Sequence, residues 1–160
     1  THIPLKNVHK YIKPKPLENA IQLLNSSLKK NFNIKKPKIA VTGLNPHSGD
    51  GGLLGKEEQK IILPVINKTR KTGISISGPL SPDSAFQKKN LKLYDAFLCM
   101  YHDQALIPIK TIDFENTVNY TLGLSFVRTS PDHGTGYDIA NKSIASERSL
   151  VSAINYAAKI

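Results

Sequence analysis

The chain contains a single cysteine, Cys99, no tryptophan, and one methionine in 160 residues. One cysteine excludes an internal disulfide framework and any zinc site built from several thiolates, and it suits a reducing compartment. A metal here would need histidine or carboxylate ligands. No apolar run approaches the roughly 20 residues that span a bilayer, and the opening "THIPLKNVHK" has no apolar core like that of a signal peptide. The expectation is a soluble, cytoplasmic protein with no membrane partner. Acidic residues are also scarce at the start: residues 1–40 hold nine lysines against Glu18 alone, so +8 of the formal +10 net charge is local. That coating is interleaved with asparagine and isoleucine, with Tyr11 and Phe32 as its only aromatics, a pattern that argues against nucleic acid as a partner.

What is present suffices for a core, since 39% of residues are hydrophobic and a chain of this length buries roughly 70% of its unfolded surface. In "KPLENAIQLLNSSLKKNF", Leu17, Ala20, Ile21, Leu24 and Leu28 recur at helical spacing, predicting a surface helix. "PKIAVTGLNP" reads as a buried strand over Lys38–Leu44 that ends in the loop "NPHSGDGG". "KEEQKIILPVINKTRKTG" predicts a second helix, kinked at Pro64 and stopped at Gly73. "ISIS" and "YDAFLCMY" read as strands with the loop "GPLSPDSAF" between them. "TVNYTLGLSFVRTS" reads as two strand pieces meeting near Gly123. The tail places Leu150, Val151, Ile154, Ala157 and Ala158 on one helical face. Strands alternating with helices predict an α/β sandwich with a largely parallel sheet, in which ligands sit at the carboxyl ends of strands.

Polar residues cluster at those ends. His47, His102 and His133 each follow an apolar, strand-like run, and three neutral imidazoles leave open positions on a divalent metal, as a catalytic site requires. The glycines of "NPHSGDGG" allow close backbone approach to a ligand, although the loop matches neither the dinucleotide fingerprint nor the P-loop spacing. Lys110 and Arg128, with Asn119 between them, suit a phosphate. Asp83, Asp103, Asp132 and Asp138 could each orient a histidine or act as a base, and their residue types alone do not choose among them.

Five ordered blocks tie these residues together: "THIPLKNV", "VTGLNPHSGDGG" with "GKEE", "GPLSPDSAF", "MYHDQALIPIK" and "VNYTLGLSFVRTSPDHGTGYDIA". Together they resemble the 4-hydroxythreonine-4-phosphate dehydrogenase family of pyridoxal phosphate biosynthesis over nearly the whole chain. The resemblance implies an αβα sandwich similar to the isocitrate and isopropylmalate dehydrogenases. It also implies NAD-dependent (or NADP-dependent) oxidation of 4-phosphohydroxy-L-threonine, followed by loss of carbon dioxide from the 3-oxo acid. The implied divalent metal, zinc first and magnesium or cobalt after it, would be held by His2, His47 and His102, which replaces His133 by His2 in the tripod. The family's substrate contacts match Lys110, Asn119 and Arg128. "DHGTGYDIANKSIA" is similar to the loop that holds the adenosine half of NAD, which makes His133, Gly134 and Asp138 cofactor candidates. Asp103 and Asp83 are the candidate catalytic acids.

Family members are about twice this length, so residues 1–160 are expected to correspond, as a single segment, to the C-terminal half of a two-domain enzyme. A substrate-contacting His-Thr pair belongs to the other half. The family's homodimer draws its active site from both chains, so weak or absent turnover is expected of this chain alone. Ala105 stands where the family usually has glycine, Ser125 replaces proline in "GLPF", and "SPDS" replaces "PADT". Two other readings remain open: a dehydrogenase of 4-phosphorylated threonate or erythronate, and a catalytically incomplete fragment acting as a binding or structural module.

Overall fold

The computed structural model describes residues 2–160 and resolves into two compact units, one running to Leu106 and the other covering Ile107–Ile160. The first opens with a short 3-10 turn, the four-residue α1 (Val8–Tyr11) and the long α2 (Pro14–Asn31). α2 lies where its periodicity predicts, with Leu17, Ile21 and Leu28 buried and Lys29 and Lys30 in the last turn, where cations complement the helix dipole.

A three-stranded parallel sheet in the order β2-β1-β3 follows, built from β1 (Lys38–Thr42), β2 (Ser75–Leu80) and β3 (Ala96–Leu98). β1 is central, and Ile39 to Thr42 are all buried, as expected of a parallel strand covered on both faces. Ile39 lies opposite Ile76 on one side and Ala96 on the other. Fully buried Ile21, Ile39, Val41, Ile62 and Ile66 form the heart of the core. Each such side chain contributes about 1.5–3 kcal/mol by leaving water.

The connection from β1 to β2 departs from a simple kinked helix. A turn of π-helix, Glu58–Ile62, precedes α3 (Leu63–Arg70), and Pro64 sits in the first turn of α3. The helical run is continuous from Glu58 to Arg70, and Pro64 follows just after the π-turn, where the wider backbone spacing accommodates a residue that an uninterrupted α-helix tolerates poorly. Gly73 lies in the turn after α3, at φ 87°. Lys68 of α3 reaches Glu18 of α2 at 2.9 Å and pins the two helices together. β2 runs on through Pro79 and Leu80, residues expected in a loop, and β3 is three half-buried residues rather than a long buried strand. The six-residue α4 (Lys88–Leu93) joins them, a helix that no apolar periodicity announces.

α5 (His102–Asp113) is a full helix with Pro108 inside it. In the second unit, β4 (Val118–Tyr120) and β5 (Thr129–Pro131) pair antiparallel with Asn119 opposite Ser130, and Gly123 falls between them as expected. α6 (Arg148–Lys159) forms where the tail periodicity places it, but its orientation differs. The residues that pack inward are Ser149 and Ala153, while Leu150, Val151 and Ile154 face out. The reason is close approach: Thr129 donates to the Ala153 carbonyl at 2.9 Å and Ser149 to the Thr117 carbonyl at 3.1 Å. Side chains no larger than these permit such contacts, whereas a leucine or isoleucine would hold the strand away.

Candidate active site

The polar residues of the first unit, His47 and its loop together with His102 and Asp103, lie at the carboxyl end of the parallel sheet. Immediately after β1 the chain enters a 3-10 turn, Pro46–Gly52, in which His47, Ser48, Gly49, Asp50 and Gly51 all have positive φ. A left-handed conformation costs a non-glycine residue roughly 1–2 kcal/mol, so His47, Ser48 and Asp50 persist there only because their surroundings hold them. Within the turn, Gln59 donates to the Gly51 carbonyl at 2.7 Å and the Ser48 hydroxyl to the Pro79 carbonyl at 3.3 Å, while the turn's entry is held by Glu58, the first residue of the π-turn and only 3% exposed. Its Oε1 accepts the backbone N–H groups of Leu44 and Asn45, both at 2.7 Å, and its Oε2 accepts the Asn45 side-chain amide at 2.9 Å. The same amide donates to Glu57, holding that carboxyl below its usual range.

A second buried side chain fixes the neighbouring strand end. Gln104, in the first turn of α5, accepts the Thr42 hydroxyl at 2.6 Å and the Met100 N–H at 2.7 Å, and it donates to the Gly43 carbonyl at 2.8 Å. The bond back to Met100 resembles a capping box reaching one residue further than usual. It sets the start of α5, and with it His102 and Asp103. In the sequence, Glu58 is one of two adjacent acids in "GKEE" and Gln104 stands two residues after His102, with nothing to mark either as buried. Their burial, which makes them structural anchors, is a tertiary property.

A cavity of about 280 Å³ opens beside these anchors, lined by Leu44, Pro46, His47, Pro82, Asp83 and Tyr101. His47 and Asp83 are therefore brought together. The Ser81 hydroxyl donates to Asp83 at 2.6 Å and, helped by His47, holds that carboxyl below the usual range against partial desolvation. His2 and His102 form a second pairing, their rings 4.6 Å apart and tilted by 48°. Asp103 lies 2.6 Å from the His102 Nδ1, an arrangement that fixes the ring and leaves Nε2 for another partner. Among the described residues, no three histidine, cysteine or acidic side chains of this one chain gather in a cluster suited to a metal ion.

The remaining candidates lie in the second unit. The Lys110 ammonium stands 3.7 Å from an Asp132 carboxylate oxygen and 5.5 Å from the centre of the Phe114 ring. Asn119 is exposed on β4, and Arg128 donates to the Thr121 hydroxyl at 2.8 Å. The His133 ring meets the Gly134 carbonyl at 2.9 Å. A side chain at Gly134 would meet nothing within 4 Å, and Asp138 is exposed in a short 3-10 turn. His133 thus belongs to a different unit from His47 and His102, its partners in the tripod read from spacing alone.

Residues 1–157 match the family model described as "Pyridoxal phosphate biosynthetic protein PdxA". A protein of Sulfurihydrogenibium sp. named 4-hydroxythreonine-4-phosphate dehydrogenase is 52% identical over 157 residues, covering 98% of this chain and 48% of its own length. The crystal structure of a 4-hydroxythreonine-4-phosphate dehydrogenase from Klebsiella pneumoniae superposes with a TM-score of 0.86 at 38% identity, over 98% of this chain and 48% of that one. A terephthalate 1,2-cis-dihydrodiol dehydrogenase from Burkholderia xenovorans reaches 0.77 at 29% identity, over 99% and 50%. The chain therefore spans about half the length of the relatives it matches.

Proposed function

The chain belongs to the family of the pyridoxal phosphate biosynthetic protein PdxA, and from that membership we propose that it serves the oxidation of 4-phosphohydroxy-L-threonine to a 3-oxo acid that loses carbon dioxide to give 3-amino-2-oxopropyl phosphate. The observation that carries this reading is the cavity at the carboxyl end of the sheet, where His47 faces Asp83. His2, His47 and His102 are the residues that would hold a divalent metal. Their donor chemistry fits zinc, and the carboxylate on His102 is the usual orienting partner of a metal-binding imidazole. With two imidazoles paired and the third beside Asp83, a site completed by a second copy of the chain is the arrangement we favour. When bound, the ion supplies positive charge to an oxygen anion of the substrate, and the nicotinamide nucleotide supplies the two-electron oxidant.

The chain's own residues do the rest. Lys110, Asn119 and Arg128 bind the substrate phosphate, the lysine as a point charge and the arginine through paired N–H donors. Asp83, a carboxylate in the same cavity as His47, takes the hydroxyl proton as the hydride leaves the same carbon. In the second step the bond to the carboxylate breaks, its electron pair stays on the carbon beside the new ketone, and a proton closes the product. Asp103 orients His102. His133, Gly134 and Asp138 hold the adenosine half of NAD, with the carboxylate suited to ribose hydroxyls and the bare glycine to close approach.

Zinc titration of the chain followed by calorimetry tests the ligand set. Replacement of His2, His47 or His102 by alanine should each weaken binding by about tenfold or more, and replacement of His9 or His133 should not. Full retention of binding after loss of His47 refutes the assignment. NADH formation from 4-phosphohydroxy-L-threonine, compared with 4-phospho-threonate and 4-phospho-erythronate, identifies the substrate. Weak or absent turnover is expected of this chain alone.

A further inference from the structure

We propose that Glu58 is a positioning residue: its buried carboxylate clamps the left-handed turn Pro46–Gly52 and so fixes the imidazole of His47 against the cavity. The proposal rests on the reading of His47 as a metal ligand, and it adds the residue that makes that ligand's placement possible. Three observations converge on it. His47 and Ser48 have φ of 50° and 53°, a conformation the chain adopts only when constrained. The turn's entry, Leu44 and Asn45, is held by three hydrogen bonds to one carboxylate. The surroundings are built to admit that carboxylate, since a Cβ on Gly43 would lie 3.1 Å from Glu58 Oε1 and one on Gly49 would lie 2.8 Å from Oε2.

Bare glycines and aligned N–H groups form a cradle in which amide donors, rather than a cation, satisfy the acid. A carboxylate serving only helix stability would sit in the solvated first turn. Here it points back across 13 or 14 residues to the strand end. Reach should therefore matter more than charge. Glutamine in place of Glu58 keeps an oxygen where Oε1 accepts both backbone N–H groups and gives up only the Asn45 side-chain bond. Aspartate keeps the charge but falls one methylene short of all three donors.

The test uses the whole chain, first without metal. Amide hydrogen exchange at Leu44 and Asn45, together with the His47 ring signals in long-range nitrogen-proton NMR spectra, should be near wild type in Glu58→Gln. In Glu58→Asp and Glu58→Ala the same amides should exchange about tenfold faster or more, with the His47 signals shifted or broadened, while the Met100 amide held by Gln104 is unchanged. Glu58→Asp behaving better than Glu58→Gln would overturn the proposal, and so would wild-type His47 signals in Glu58→Ala. If the alanine variant does not fold, the glutamine and aspartate pair still decides. Adding Co²⁺ then separates the two readings. Paramagnetic broadening of His47 in wild type, with affinity lowered about tenfold in Glu58→Asp and less than about threefold in Glu58→Gln, supports both. No broadening in wild type refutes the metal reading alone, the metal-free ordering having already judged the clamp.

Discussion

Replacing Gln104 by methionine keeps the shape of the side chain and removes every hydrogen bond it makes. Gln104 is 7% exposed and Thr42 fully buried, so water cannot readily replace the amide. Three groups lose their partner: the Thr42 hydroxyl, the Met100 N–H and the Gly43 carbonyl. The hydroxyl keeps a long contact to the Leu98 carbonyl at 3.4 Å, which leaves two groups fully stranded. At about 1–3 kcal/mol for each stranded group, the loss should be about 2–6 kcal/mol. That is a large fraction of the 5–15 kcal/mol that typically separates folded from unfolded domains. Because the chain has two compact units, the measurement should report on the first alone, and amide exchange of Ile39, Ala40 and Val41 in β1 does so. The expected acceleration is about 30-fold to about 20,000-fold. A double-mutant cycle with Thr42→Val should return a coupling of about 0.5–3 kcal/mol, since the two side chains share one hydrogen bond. A loss below about 0.5 kcal/mol, or strict additivity with Thr42→Val, would refute the view that this amide locks the strand end to the start of α5.

Ser81→Ala should raise the Asp83 carboxyl toward its ordinary value, read from a carbon-detected NMR titration. Because Asp83 sits below its usual range when folded, its stabilising contribution is present above the unfolded value and is lost as pH falls through the folded one. The variant should shift that acid loss to higher pH, and an unmoved titration would show the Ser81 bond to be incidental. Burial pushes the Cys99 thiol up to about 11, so alkylation near neutral pH should be roughly two orders of magnitude slower than for a free thiol; labelling at the free-thiol rate would contradict the burial. On α6, Ala153→Leu should destabilise by about 1–3 kcal/mol through overpacking, whereas Ile154→Ser should be nearly neutral, because Ala153 is 3% exposed and Ile154 60%. The reverse order in thermal melts would mean that the helix presents its other face.

The parts of the fold that follow from local chemistry were legible. The run Ile39–Thr42, β-branched at three of its four positions, declares a buried strand, and Leu17, Ile21 and Leu28 declare the buried side of α2. Periodicity failed at α6, where it located the helix and misassigned its face, because the contact with β5 selects for small side chains rather than apolar ones. α4 has no buried residue, so no stripe could reveal it. In the candidate site, residue types and loop positions pointed to His47 and His102, while the choice of His2 came from family resemblance and its proximity to His102 emerged only in three dimensions. Apart from the Met100 N–H, the partners of Glu58 and Gln104 lie 13 to 62 residues away, a separation at which sequence patterning carries no signal.

The left-handed turn has a consequence for chain chemistry. Gly51 sits at φ 63°, ψ 14°, a left-handed backbone, and an L side chain there would meet no atom within 4 Å. In a chain assembled by chemical ligation, D-alanine at this position would adopt the native φ and ψ without backbone strain while narrowing the unfolded ensemble, a gain of about 0.4–1 kcal/mol. L-alanine at the same atom would cost stability instead. A penalty for the L enantiomer that no side-chain contact accounts for would report the handedness of the turn directly.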